Sequence, residues 1–171
     1  GGDTTITNGE TATDLSVSGS IDNAGNLLVT NNGSGALNMS GTVDNEGITN
    51  IINSANGTDL TVGGRLDNAG NLVVRNAGSG DLSLTGDVIN GWDAEIKNGG
   101  NEVAIGGTVN NSGDLLVENN GAGVLEISGS VTNGKDAEVT NNGSALSISG
   151  VIANGNNLQV TNNGEGGLTT T

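Results

Sequence analysis

Apolar and polar residues alternate along this chain in short runs separated by Gly, Asn, Asp and Ser. In the segment that opens at Gly107, Val109 leads a run that closes at Asn111. Leu115 and Val117 flank Leu116 in a second run that closes at Asn119, and Leu125 and Ile127 flank Glu126 in a third. Alternation with a period of two predicts strands with one buried face. No segment carries the 3.6-residue rhythm of an amphipathic helix. Gly and Asn crowd the corners between runs, where left-handed backbone angles are expected.

The three-run segment repeats. The frame Gly-x-(Ile/Val/Leu)-x-Asn recurs at 19–23, 41–45, 64–68, 86–90, 107–111, 129–133 and 150–154, a period of 21 to 23 residues. Each frame ends in Asn23, Asn45, Asn68, Asn90, Asn111, Asn133 or Asn154. Eight residues later stands a second asparagine: Asn31, Asn53, Asn76, Asn98, Asn119, Asn141 or Asn162, with Asn8 in the same place before the first frame. A fixed period in this range is the signature of a solenoid.

Aligning the units gives three apolar columns. The first side carries Ile21, Val43, Leu66, Val88, Val109, Val131 and Ile152. The second carries pairs from Thr4/Ile6 and Leu27/Val29 to Leu158/Val160, and the third carries pairs from Leu15/Val17 to Leu168/Thr170. A single unit cannot bury its apolar faces, but stacked units share a continuous core. The expected fold is therefore all-β: one single-stranded parallel β-solenoid over 1–171, triangular, with about seven coils and three short strands per coil. At about 4.8 Å per coil the rod is roughly 35 Å long.

All length variation lies between the second asparagine and the third side, for example Asn53 to Leu60 against Asn98 to Val103. That corner is expected to face solvent, where added residues cost little. The two asparagine columns are expected to form amide ladders that satisfy corner backbone groups. The recurring glycines have no Lys-Ser/Thr and no following helix, so they are corner residues and not a phosphate cradle.

Composition narrows the function. The chain has 32 Gly, one aromatic residue (Trp92), no Pro, Cys or His, and a net charge of −15. The charge and low hydrophobicity resemble those of disordered chains, but strict periodicity outweighs that reading. The charge excludes nucleic acid as a natural partner. No apolar run is long enough to insert into a membrane, and no signal peptide is present, so the chain is expected to be a processed form or an excerpt. Absence of Cys leaves the compartment open.

The frames at 19–29 (Gly-Ser-Ile-Asp-Asn-Ala-Gly-Asn-Leu-Leu-Val) and 64–74 (Gly-Arg-Leu-Asp-Asn-Ala-Gly-Asn-Leu-Val-Val) resemble the repeats of filamentous-haemagglutinin-type large exoproteins and of autotransporter passengers. The resemblance runs over nearly the whole chain, although the unit here is longer than the family's usual one. It implies a right-handed β-helix and a bacterial extracellular or cell-surface rod.

The chain opens within the second side at Thr4 and Ile6 and closes on the third side at Leu168 and Thr170, with no capping helix. Uncapped strand edges invite pairing. A head-to-tail contact between copies makes an open filament, so the first expectation is a self-assembling fibre subunit. The alternative is a stalk segment of an adhesin that meets a host surface or a glycan.

Catalysis is not expected. Ser and Thr lack a base to activate them. Acids such as Glu95 and Glu118, read as neighbours on adjacent coils, are ordinary on an acidic rod. No cofactor is implied. Asp22, Asp44 and Asp67 occupy one outward position in successive coils, where stacked like charges repel and Ca²⁺ would relieve them. Ala77 to Leu82 is only loosely similar to a Ca²⁺-binding RTX repeat. Outward Ser and Thr on the third side, such as Thr61 and Thr85, resemble a broken ice-binding array. Leu28, Val73 and Leu116 are expected as exposed aliphatics in otherwise polar rows, more in keeping with an ordinary surface than with a face for lateral association between rods. Trp92 is expected as a half-buried ring over a corner.

Overall fold

A computed structural model describes residues 2–171. Its strands are all parallel and form three sheets, of eight, eight and seven strands. The eight-stranded second-side sheet runs from Thr4–Asn8 to Leu158–Asn162, and the eight-stranded third-side sheet from Leu15–Val17 to Leu168–Thr170. The seven-stranded first-side sheet runs from Ile21–Asn23 to Ile152–Asn154. Every strand but the last three pairs with the strand three places later, so each sheet is built from successive coils. The fold is a parallel β-solenoid with three strands per coil, in seven full coils preceded by a two-strand partial coil.

Register follows the sequence columns. Val88 pairs with Val109 and Asn90 with Asn111 on the first side. Leu115 pairs with Ala137 and Asn119 with Asn141 on the second, and Leu125 pairs with Leu146 on the third. A slip of one residue would turn each aliphatic row outward, which the buried face forbids. The core is a narrow triangular column of Leu, Ile and Val, with Met39, Ala94 and Ala137 among them. Small and medium aliphatics suffice because each side chain packs on its counterpart in the adjacent coil. Among the described residues Leu158–Asn162 and Leu168–Thr170 are the last strands of their sheets, and there Leu158 is 43% and Leu168 50% exposed.

The corners depart from expectation in one respect. No residue, glycine included, has a positive φ among the described residues, so left-handed geometry does not explain the corner glycines. Close approach between coils does. A Cβ on Gly86 would collide with the carbonyl oxygen of Gly64 below it, and one on Gly107 with that of Gly86. A Cβ on Gly19, ahead of the first strand of the first-side sheet among the described residues, would meet nothing within 4 Å. The variable corner between Asn53 and Leu60 is mostly exposed, as its length variation requires.

Candidate functional site

The asparagine columns are continuous ladders. On the first side the Nδ2 of Asn23 donates to Asn45 Oδ1 at 2.7 Å, Asn68 to Asn90 at 2.8 Å, and Asn133 to Asn154 at 2.8 Å. On the second side Asn8 donates to Asn31 at 2.8 Å, Asn76 to Asn98 at 3.0 Å, and Asn141 to Asn162 at 2.9 Å. The other N–H of most of these amides turns to carbonyls of its own corner, as Asn90 does to Trp92 O at 2.8 Å and Asp93 O at 3.0 Å. Interior members such as Asn53, Asn98, Asn111 and Asn119 are buried. Burial of an amide is tolerable when its donors and acceptor are all engaged. Both ladders share one polarity, with donors pointing toward the Thr171 end.

Two threonines enter the first ladder. Thr49 is fully buried on the second side, in a column that otherwise carries Leu or Ala except at Thr4. Its hydroxyl accepts from Asn45 Nδ2 at 2.9 Å and donates to Asn68 Oδ1 at 2.8 Å. Thr4 Oγ1 likewise donates to Asn23 Oδ1 at 2.7 Å.

A further set of side chains caps the strands from outside. The Oδ1 of Asp93 accepts the Asp114 amide at 3.0 Å, that of Asp114 accepts the Asp136 amide at 3.2 Å, and that of Asp136 accepts the Asn157 amide at 3.1 Å. At the third-side corner Asp59 accepts the Asp81 amide at 2.9 Å and Asp81 the Glu102 amide at 3.1 Å. At the first-side corner Asp87 accepts the Thr108 amide at 3.3 Å. Many of the carboxylates behind the charge of −15 therefore satisfy backbone donors. The signal is present in the sequence: Asp or Asn often stands immediately before the leading aliphatic of a strand.

The metal-candidate column is in register, with Asp22 beside Asp44 and Asp44 beside Asp67. Arg65 lies 2.7 Å from Asp67. Among the described residues no three His, Cys, Asp or Glu side chains converge to hold a metal ion. Glu95 and Glu118 are not direct neighbours. Glu95 is opposite Leu116, and Lys97 is opposite Glu118, because each Glu sits at a different strand position. Lys97 lies 3.2 Å from Glu95 and 3.8 Å from Glu118.

Trp92 is 61% exposed and does not cover the corner. The indole faces solvent. Its neighbour Asp93 lines a groove of about 710 Å³ along the second side, together with Val73, Leu116, Asp114, Asp136 and Gln159. Leu28, Val73 and Leu116 are half-buried in that outer face. No helix long and apolar enough to cross a membrane occurs among the described residues.

No family model, curated protein or solved structure matches this chain.

Proposed function

We propose that the chain works as structure: a rigid secreted or cell-surface rod that lengthens by head-to-tail stacking of copies into a filament. One observation carries this reading. Each coil presents on its upper surface the pattern that the next coil's lower surface accepts, so a coil of a second copy offers the same register and the same asparagine column as a coil of this chain. The Thr4 amide donates to Asn26 O in the coil above at 2.8 Å. Strand alternation therefore turns the Thr5 and Thr7 amides to the open lower edge. At the other end the Asn163 amide donates downward to Asn141 O at 2.8 Å, which leaves the Leu158, Val160 and Asn162 backbone groups facing up.

In such a joint Thr4–Asn8 of one copy lies on Leu158–Asn162 of the next, and Leu15–Val17 on Leu168–Thr170. Two sheets continue, and Asn162 Nδ2 reaches Asn8 Oδ1 to extend one ladder. The first-side sheet skips one rung per subunit, since Ile152–Asn154 faces Ile21–Asn23 across the missing strand. Thr7→Pro tests the reading. It removes an open-edge donor, adds bulk there and spares the bonds to the coil above. The variant should stay folded and stay monomeric where the parent forms filaments. Equal polymerisation of both would overturn the reading.

A second reading keeps the rod as an adhesin stalk. The exposed Trp92 beside the groove favours it, since an indole face with nearby Asp, Asn and Gln side chains suits a sugar ring and its hydroxyls. Trp92→Ala should then abolish glycan retention on an array without altering the melting temperature. Retention unchanged in the variant, or absent in the parent, would count against it.

A further inference from the structure

Seven Asn-Gly pairs of this chain have a described coil both above and below them. Asn-Gly is chemically labile because glycine leaves its amide nitrogen unhindered. That nitrogen gives its proton to solvent base and attacks the Asn Cγ. A C–N bond closes a succinimide ring, the Cγ–Nδ2 bond breaks, and ammonia leaves. Water then opens the ring to aspartate or isoaspartate. A hydrogen bond on the glycine N–H or on the asparagine amide opposes the attack, because it must first be given up.

Two corner arrangements hold six of the seven pairs. At Asn90, Asn98 and Asn133 the asparagine is itself a buried ladder member. The glycine N–H that follows donates to an asparagine carbonyl in the coil below at 2.8 Å. At Asn32, Asn120 and Asn142 the pair directly follows the ladder asparagine. There Gly33, Gly121 and Gly143 donate to that asparagine's Oδ1 at 3.1, 3.1 and 3.3 Å. The N–H of Asn32, Asn120 and Asn142 donates to the coil below at 3.1, 2.8 and 2.8 Å.

Asn56-Gly57 has neither arrangement. Ser54 and Ala55 stand between it and the ladder residue Asn53, so the bond to the coil below falls to Ser54, whose N–H donates to Asn31 O at 2.9 Å. The Gly57 N–H turns back to Ser54 O at 3.0 Å, a bond that opens with its own turn and needs no separation of coils. Asn56 is exposed, and among the described residues neither its backbone N–H nor its side-chain amide has a partner. The Ser54 Oγ is buried and also without a partner, so the turn gains no side-chain bond from it. With Ser54 and Ala55 removed the corner would read Asn-Asn-Gly-Thr-Asp-Leu. That matches in length and opening the corner Asn-Asn-Gly-Ser-Ala-Leu at 141–146.

We propose that Asn56 is a site of spontaneous deamidation, carried out of the ladder's protection by the two residues Ser54 and Ala55. The product adds a carboxylate at an exposed corner. Its isoaspartate form lengthens the backbone ahead of Gly57, at the corner whose length already varies between coils.

The test is peptide mapping by mass spectrometry of the whole chain, aged in mildly alkaline buffer, folded and in denaturant. In the folded chain Asn56 should deamidate at least about tenfold faster than each of the other six asparagines. In denaturant all seven should react at comparable rates. Deleting Ser54 and Ala55 moves the pair into the frame of Asn142 and should bring its rate down to that of Asn142. A folded-chain rate at Asn56 no higher than at the other six would overturn the proposal. So would a hierarchy that persists in denaturant, or a deletion variant that is folded by circular dichroism and still reacts at the parent rate. If that variant does not fold, the comparison of folded and denatured parent decides alone.

Discussion

The Thr49 hydroxyl donates to Asn68 Oδ1 at 2.8 Å, joining two buried polar groups 19 residues apart and one coil apart. A polar side chain in an aliphatic column is tolerated here because the ladder supplies both its partners. Removing the hydroxyl leaves an interior amide donor of Asn45 without its present acceptor. Thr49→Val should therefore destabilise the chain by about 1–3 kcal/mol despite its greater hydrophobicity. Urea denaturation would read this as a lower midpoint at unchanged slope.

The stacked glycines make a paired prediction. Gly86→Ala places a methyl against the Gly64 carbonyl and should cost about 1–3 kcal/mol through forced separation of coils. Gly63→Ala, whose nearest neighbour would be Thr85 Oγ1 at 3.5 Å, should change stability by no more than about 0.5 kcal/mol. Thermal melts of the two variants would separate close approach from backbone conformation, since neither position has a positive φ.

The outer caps predict an ordering. Asp114 accepts the Asp136 amide through one oxygen, a role that Asn also fills, as Asn26 does for Ile48 at 3.0 Å. Asp114→Asn should therefore be at least as stable as the parent at low salt, since it keeps the acceptor and lowers repulsion with Asp93 and Asp136. Asp114→Ala should be less stable than both. The advantage of Asn should vanish in high salt as screening removes the repulsion.

The Asp22, Asp44 and Asp67 column offers one carboxylate per coil, and Arg65 already meets Asp67. Ca²⁺ and Mg²⁺ at equal concentration should raise the melting temperature equally, by screening alone. A rise specific to Ca²⁺, lost in Asp44→Asn, would assign a true site.

Much of the architecture was legible because a solenoid writes each contact along its own period. Val88 above Leu66 and Asn90 above Asn68 are neighbours that the 22-residue spacing alone predicts. What escaped reading depends on direction and clearance. Spacing does not reveal that Asp93 reaches up to the Asp114 amide, or that Thr49 bridges Asn45 and Asn68. It also does not reveal that the corner glycines answer a carbonyl from the coil below. The exposure of Trp92 escapes for the same reason, since spacing places it at a corner without saying whether its ring lies over that corner or in solvent.

The filament reading meets its most direct test in cryo-electron microscopy of the purified chain, concentrated at moderate salt. Net charge of −15 keeps copies apart at low ionic strength, and screening lets the end strands meet. The account predicts long, uniform filaments with an axial repeat of about 4.8 Å, broken by a missing first-side strand once per subunit. Short monodisperse rods at every concentration and salt would contradict it.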